Sequence, residues 1–196
     1  AQRSHDVIVK LASERIPEVY GLDAVSEVQV LCPMHKGRAG TEHFNAALQE
    51  VYTAGAPELS LPSFGGALAR KFRVGDRVMQ TKNDYQRGVF NGDIGTVVEV
   101  DADAKGLRAE IDGIEVLYEN KDLGALRLAY AISIHKSQGS EFPAVLLPLL
   151  GEHHVMLRRN LLYTAITRAQ SLCIVVGDPR AVERAISRAD AAHRWT

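Results

Sequence analysis

Between Asp76 and Tyr118 the hydrophobic spacing of this chain changes, and the change divides the molecule into two kinds of folding unit. Asp76-Arg-Val-Met-Gln-Thr81, Gly95-Thr-Val-Val-Glu-Val100, Leu107-Arg-Ala-Glu-Ile111 and Ile114-Glu-Val-Leu-Tyr118 are short runs rich in β-formers. The last two are separated by Asp112-Gly113, a two-residue hairpin signal because both residue types tolerate a positive φ. With the turn at Asn91-Gly92-Asp93, these runs predict a small antiparallel barrel over residues 71–123. An SH3-like barrel fits first, and an OB-like one is the alternative.

On both sides of this block, strands and helices alternate. From Asp6, the positions Val7, Ile8, Leu11, Ala12 and Ile16 fall at helical spacing, and Pro17 is expected to help end that helix. Val28-Gln-Val-Leu-Cys32, stopping at Pro33, reads as a buried parallel strand. A loop over 34–40 leads to a helix over Thr41–Tyr52 with Phe44, Leu48 and Val51 on one face. Residues 53–70, with Gly55, Pro57, Pro62, Gly65 and Gly66, read as a loop or linker. After the barrel come a strand over Leu128–Ser133, a strand over Ala144–Leu149, a helix from about Arg159 to Ala169, and the apolar strand Leu172–Gly177. Asp178 as N-cap and Pro179 at the first helical position open a last helix with Ala181, Val182, Ala185, Ile186 and Ala189 buried. Strands joined by helices predict an α/β fold: a parallel sheet with helices on both faces, built from 1–70 and 124–196 and interrupted by the barrel.

A length of 196 residues suits one sizeable core and a small satellite, and a net charge of -1 confines any nucleic-acid contact to a local groove. Cys32 and Cys173 lie in apolar runs without a metal-type Cys/His cluster nearby, so they read as small buried hydrophobes in a reducing compartment. No run reaches the roughly 18 apolar residues of a membrane span, and the polar start is no secretory signal, so a cytoplasmic location without membrane contact is expected. The chain opens in mid-pattern without Met, which reads as a piece of a larger protein.

The polar residues at element ends carry the chemistry. Ligands of an open parallel sheet sit at the carboxyl ends of its strands. His35, Lys36, Ser133, His135, Gln138 and Glu141 all follow strands and are expected to converge there. Strand, loop and helix start at His35-Lys-Gly-Arg-Ala-Gly-Thr41 make a candidate phosphate cradle of backbone N–H groups, with Gly37 and Gly40 allowing close approach and Thr41 as N-cap. A plain turn between strand and helix remains the alternative. In the barrel's long loop, Lys82 and Arg87 could neutralise phosphates and Tyr85 could stack on a base; alternatively Tyr85 and Phe90 close one end of the core. Arg168, near a helix C-terminus, is either a cation favoured by the helix dipole or an arginine finger for a transferring phosphoryl group. No Gly-x-x-x-x-Gly-Lys-[Ser/Thr] loop and no apolar strand ending in Asp-Glu occur in the sequence.

Tyr130-Ala-Ile-Ser-Ile-His-Lys-Ser-Gln-Gly-Ser-Glu-Phe142, followed by Tyr163-Thr-Ala-Ile-Thr-Arg-Ala169, resembles motifs V and VI of superfamily 1 helicases of the RecD-like branch. The likeness extends through Val28–Gln49, Phe72–Val100, Tyr130–Leu149 and Leu157–Val176, in the family's order. The resemblance implies that the α/β part is a second RecA-like motor domain and the barrel its inserted accessory domain. It further implies Arg168 as the catalytic finger and Gln138, Gly139, Glu141 and Arg168 on the nucleotide side. Ser133, His135 and the 35–41 cradle would face single-stranded DNA. ATP and Mg²⁺ would be held mainly by a first motor domain lying outside this sequence, and movement would run 5′ to 3′. The helicase half of a conjugative relaxase and a non-catalytic single-strand-binding module are the competing readings.

Overall fold

Val28–Cys32 forms strand β1, and every one of its residues is buried because β1 lies inside a four-stranded parallel sheet. The computed structural model describes residues 2–61, 70–150 and 158–188. They fall into two compact units, one made of residues up to Leu48 with those from Ala131 onward, the other running from Gln49 to Tyr130.

The first unit begins with helix α1 (Gln2–Lys10), a single widened turn over Leu11–Arg15, and α2 (Ile16–Tyr20). Pro17 does not end the helix as expected. Ile16 N–H donates to Leu11 five residues back, and this widened turn absorbs the donor and space that proline denies a regular helix. The helix stops instead at Gly21, whose φ of 67° is left-handed and whose N–H caps the Pro17 carbonyl. Ile8, Ala12 and Ile16 are buried, whereas Val7 is exposed. Helix α3 spans Thr41–Tyr52. Phe44 and Leu48 are buried as expected, but Val51 is exposed, and the remaining buried stripe is polar: Asn45, Gln49 and Thr53, four residues apart.

The second unit holds the hairpin β2 (Glu58–Leu61) and β3 (Arg70–Arg73), then β4 (Arg77–Gln80), β5 (Ile94–Asp101), β6 (Gly106–Ile111), β7 (Ile114–Tyr118) and β8 (Leu126–Leu128). The five later strands form an antiparallel sheet in the order β7-β6-β5-β4-β8. Ile111 pairs with Ile114 across Asp112 (φ 49°) and Gly113 (φ 76°), which is the hairpin that the sequence signals. Leu59, Leu61 and Phe72 of the hairpin pack with Val78, Val97 and Ile111 in one core. The Tyr118 hydroxyl donates to Gln80 Oε1 at 3.0 Å and draws edge strand β7 toward β4.

Two expectations need correction. The 53–70 linker contains β2, and the limits 71 and 123 are too narrow, since β2 and β8 pair with barrel strands. Pro62, Gly65 and Gly66 lie outside the described residues. The expected strand Leu128–Ser133 is two strands: β8 pairs with β4 in the barrel, and β9 (Ala131–Ser133) pairs in parallel with β1. The parallel sheet is completed by β10 (Phe142–Leu149) and β11 (Ala169–Gly177), in the order β11-β10-β1-β9. Helix α4 (Arg159–Ile166) is shorter than expected, because Ala169 already pairs with Phe142 as the start of β11. Helix α5 (Pro179–Ser187) begins as read, with the Asp178 carboxylate accepting from the Arg180 N–H. Ala181 and Ala185 are buried, Ile186 is exposed, and Ala189, Leu157 and the residues after Arg188 fall outside the described set. Cys32 is buried and Cys173 partly so, and both are free thiols.

The second unit is tied together by one carboxylate. Asp76 is fully buried and accepts four hydrogen bonds, from Arg73 N–H (2.7 Å), Gln49 Nε2 (2.5 Å), Thr53 Oγ1 (2.9 Å) and the Tyr130 hydroxyl (2.9 Å). Burial pushes its carboxyl above the ordinary value against the pull of these donors. Gln49 and Tyr130 are the first and last residues of the unit, so Asp76 closes the chain segment on itself. Tyr130→Phe removes one of four donors and is expected to lower stability by about 1–3 kcal/mol in denaturant unfolding. Asp76→Ala, which strands all four, is expected to cost more.

Candidate functional site

β1 and β9 end side by side, with Cys32 opposite Ser133, so the loops that follow them leave one edge of the sheet together. That register is held by Asn45. Its Nδ2 donates to the Ala131 carbonyl and its Oδ1 accepts the Ala131 N–H, both at 2.8 Å. A buried side chain thereby supplies the partner that edge strand β9 would lack. This pair of hydrogen bonds fixes α3, which ends one loop, to the strand that begins the other.

The 33–40 loop presents His35, Lys36, Gly37 and Arg38 to solvent. The backbone cradle expected at the start of α3 is already filled: Thr41 N–H donates to the Met34 carbonyl (3.1 Å) and Glu42 N–H to the His35 carbonyl (3.2 Å). The loop's own carbonyls satisfy these two helix amides, and its side chains are the part left exposed. Thr41 is buried and its hydroxyl shares a hydrogen bond with His35 Nδ1 at 3.2 Å. Gly40 is needed for space, since a Cβ there would lie 2.3 Å from the His35 carbonyl oxygen.

Beyond β9 the chain forms a short 3₁₀ turn over Ile134–Ser137. Ser133 was expected to face DNA, but it is buried, and its Oγ accepts the Lys136 N–H at 3.3 Å as the cap of that turn. His135 is the exposed residue at this corner. Gln138 and Gly139 are exposed too, and Gly139 takes a φ of 88° to turn the chain back. The segment then runs to the opposite edge of the sheet. Ser133 sits level with Cys32 and Ala144 with Val28, so Phe142 starts about 20 Å from the Ser133 level at strand rise. The expected convergence at one carboxyl edge is therefore corrected: His35, Lys36 and His135 are at that edge, while Glu141 is at the amino end of β10.

Arg168 stands at this second edge, between α4 and β11. Its Nη1 donates to the Ser140 carbonyl at 3.1 Å and its Nη2 to Thr167 Oγ1 at 3.3 Å, while Nε is buried without an acceptor. The Arg168 carbonyl in turn accepts the Phe142 N–H at 2.8 Å. Two bonds thus couple the 130–142 stretch to the 163–169 stretch, which sequence spacing alone could not place together. Glu141 is exposed, with Gln170 Nε2 3.5 Å from its Oε2.

In the barrel unit, Lys82 is exposed and Tyr85 is 79% exposed. Tyr85 packs edge-on against the exposed Phe90 at 5.8 Å between ring centroids, and Val89 fills the core in their place. Arg87, expected at a phosphate, donates to Asp84 (3.1 Å) and Asp122 (2.6 Å) and lies over the Tyr118 ring. The hydrogen bond it donates to Asp122 and the nearby carboxylates raise its pKa and hold its guanidinium charged, and two ion pairs engage it. Sequence reading also missed Asn45, Ser140 and Thr167. The signal for Asn45 was available in the polar i, i+4 spacing of 45, 49 and 53; nothing in the sequence marks the backbone acceptor at Ser140.

Among the described residues no helix is long and apolar enough to cross a membrane. Residues 44–111 match the model of the ATP-dependent RecD-like DNA helicase SH3 domain, and residues 128–176 match that of the UvrD-like helicase C-terminal domain. The chain is 40% identical over 161 residues to an ATP-dependent RecD2 DNA helicase from Deinococcus radiodurans, covering 82% of this chain and 21% of that protein. It is 35% identical to the RecBCD enzyme subunit RecD of Mycolicibacterium smegmatis over 167 residues, 85% of this chain and 28% of that protein. The chain thus spans less than a third of the length of either relative. The fold matches the crystal structure of Pif1 helicase from Bacteroides in complex with ADP-AlF3 and ssDNA with a TM-score of 0.59 and 25% identity, over 91% of this chain and 45% of that one.

Asn45→Ala is expected to cost about 1–3 kcal/mol for each Ala131 group left unpaired in the interior. Hydrogen exchange should speed up at the Ala131 amide while the Val78 amide of the other unit keeps its protection.

Proposed function

We propose, for a chain that belongs to the RecD-like superfamily 1 DNA helicases and matches their SH3 and C-terminal domains, that it serves as the second half of an ATP-driven motor on single-stranded DNA. The observation that carries this reading is the bond between Arg168 and the Ser140 carbonyl. It places a permanently charged planar fork, whose two terminal nitrogens each keep one N–H beyond these bonds, against the segment that runs to the edge bearing His35, Lys36 and His135. Such a fork can stabilise the charge that develops on a transferring phosphoryl group. Because Arg168 is anchored to the same segment as His135, a shift at one edge is felt as a shift at the other. The shared fold with a Pif1 helicase that binds ADP-AlF3 and ssDNA supports both ligand classes.

In this reading Arg168 acts as the arginine finger, and Gln138, Gly139 and Glu141 line the nucleotide side. His35, Lys36 and His135 meet the DNA strand at the carboxyl edge, and Lys82 with the exposed Tyr85 meets it at the barrel. ATP and Mg²⁺ are held mainly by a first motor domain of the same protein, which supplies the Walker A and B residues, and movement runs 5′ to 3′. The donors of Arg168 fit an anion, and its side chain is the part this chain contributes to the hydrolysis site.

In the full-length protein, Arg168→Ala is expected to lower ATP turnover by about 10³-fold or more while leaving single-strand affinity nearly unchanged. Unaltered turnover would return Arg168 to the role of a cation at a helix end. The 196-residue chain alone should show negligible ATPase activity in a coupled assay. Robust turnover would refute the dependence on another domain. Tyr85→Ala should weaken single-strand binding by about 1–3 kcal/mol in fluorescence titration if the ring stacks on a base. Equal affinity would remove Tyr85 from the interface.

A further inference from the structure

Strand β7 is the outermost strand of the barrel sheet, and one of its sides pairs with no strand of that sheet. In a two-residue hairpin the pair flanking the turn is hydrogen-bonded, and such pairs alternate along the ladder. Ile111–Ile114, Ala109–Val116 and Leu107–Tyr118 are therefore the bonded pairs, and the backbone N–H and C=O groups of Glu115 and Leu117 point away from β6. Ile114 and Leu117, at the two ends of this short edge, are 47% and 52% exposed. A shallow groove of about 300 Å³ follows the edge, lined by Arg87, Glu115, Val116, Leu117 and Glu119. Its cation, Arg87, is already committed to Asp84 and Asp122.

The outer face beside this edge breaks a local rule. Glu115 lies directly opposite Glu110 in a non-bonded pair, the closer of the two antiparallel spacings, and like charges in that position repel. Among the described residues neither carboxylate has a cationic partner, whereas the next row carries the complementary pair Glu99–Arg108. Local conflicts of this kind concentrate where a sequence serves a ligand rather than its own fold.

We propose that the outer edge of β7 is a docking site for an extended basic segment of a partner protein, which adds as a sixth strand to the five-stranded sheet. The N–H and C=O groups of Glu115 and Leu117 supply the backbone bonds. Lysine or arginine at alternate positions of the added strand neutralises Glu110 and Glu115, and the apolar residues between them cover the exposed Ile114. A second copy of this edge is the wrong occupant, because it would bring two further unpaired glutamates to the same row. A nucleic-acid strand is disfavoured by the same charges. This site is independent of the motor reading.

The test uses the whole chain and a fluorescently labelled peptide of about seven residues alternating lysine and valine, with a glutamate–valine peptide as control. Anisotropy titration should show saturable, submillimolar binding of the basic peptide only, with slowed amide exchange at Glu115 and Leu117. Leu117→Pro removes an outward N–H that β6 does not use, so the hairpin stays paired while the added strand is blocked, and affinity should fall at least tenfold. Glu115→Lys should give a similar loss and serves if the proline variant fails to fold. Binding that survives both substitutions, equal binding of the acidic peptide, no saturation at millimolar peptide, or self-association through this edge in sedimentation would each overturn the proposal.

Discussion

The buried polar stripe of α3 is the constraint on which both units depend. Asn45, Gln49 and Thr53 lie on one side of a helix whose burial would ordinarily call for leucine or valine. Each is tolerated because its polar atoms meet fixed partners: Asn45 the backbone of Ala131, Gln49 and Thr53 the carboxylate of Asp76. A buried carboxylate or an unpaired strand edge is costly alone, and these side chains remove that cost. The stripe gives little net stability per bond, but it admits one register for β9 and one closure for the barrel unit. Apolar residues in the same places could slide.

That register has a functional consequence. The candidate residues are divided between two edges of one sheet, and a single segment from Ser133 to Phe142 joins them. Its first end is pinned by the Asn45 clamp and the Ser133 cap, and its last by the Arg168 carbonyl and guanidinium. In the proposed motor, this doubly anchored segment, turned at Gly139, is the element that would couple the two ligand sites. The barrel contributes a different kind of surface. Its exposed Tyr85–Phe90 pair sits on the loop between β4 and β5, and its acidic β7 edge borders a sheet whose inner face is occupied by core.

Much of the local structure was legible in the sequence because it depends on near neighbours. The Asp112-Gly113 hairpin, strand β1, the Asp178-Pro179 helix start and the change from α/β to β-hairpin spacing all follow from backbone preference and periodicity over a few residues. The misreadings share one cause. Pro17 looked like a stop until a widened turn accommodated it; Ser133 and Arg87, read as ligand contacts, have a capping amide and two carboxylates as partners that the sequence did not reveal. Phe90 looked like core until Val89 filled that space. In each case the deciding partner is a group whose position the linear pattern does not give.

By itself, then, the sequence determined the two kinds of unit, most strands and helices, and the family to which the 130–142 and 163–169 stretches belong, since these rest on local spacing and residue identity. Only the tertiary structure decided which polar groups are free to act. It turned the amides of Thr41 and Glu42 inward, withdrew Ser133 and Arg87, and brought Arg168 onto the Ser140 carbonyl. Hydrogen-bond satisfaction in the interior is settled by residues far apart in the chain, and a donor or acceptor becomes available to a ligand only after those claims have been met.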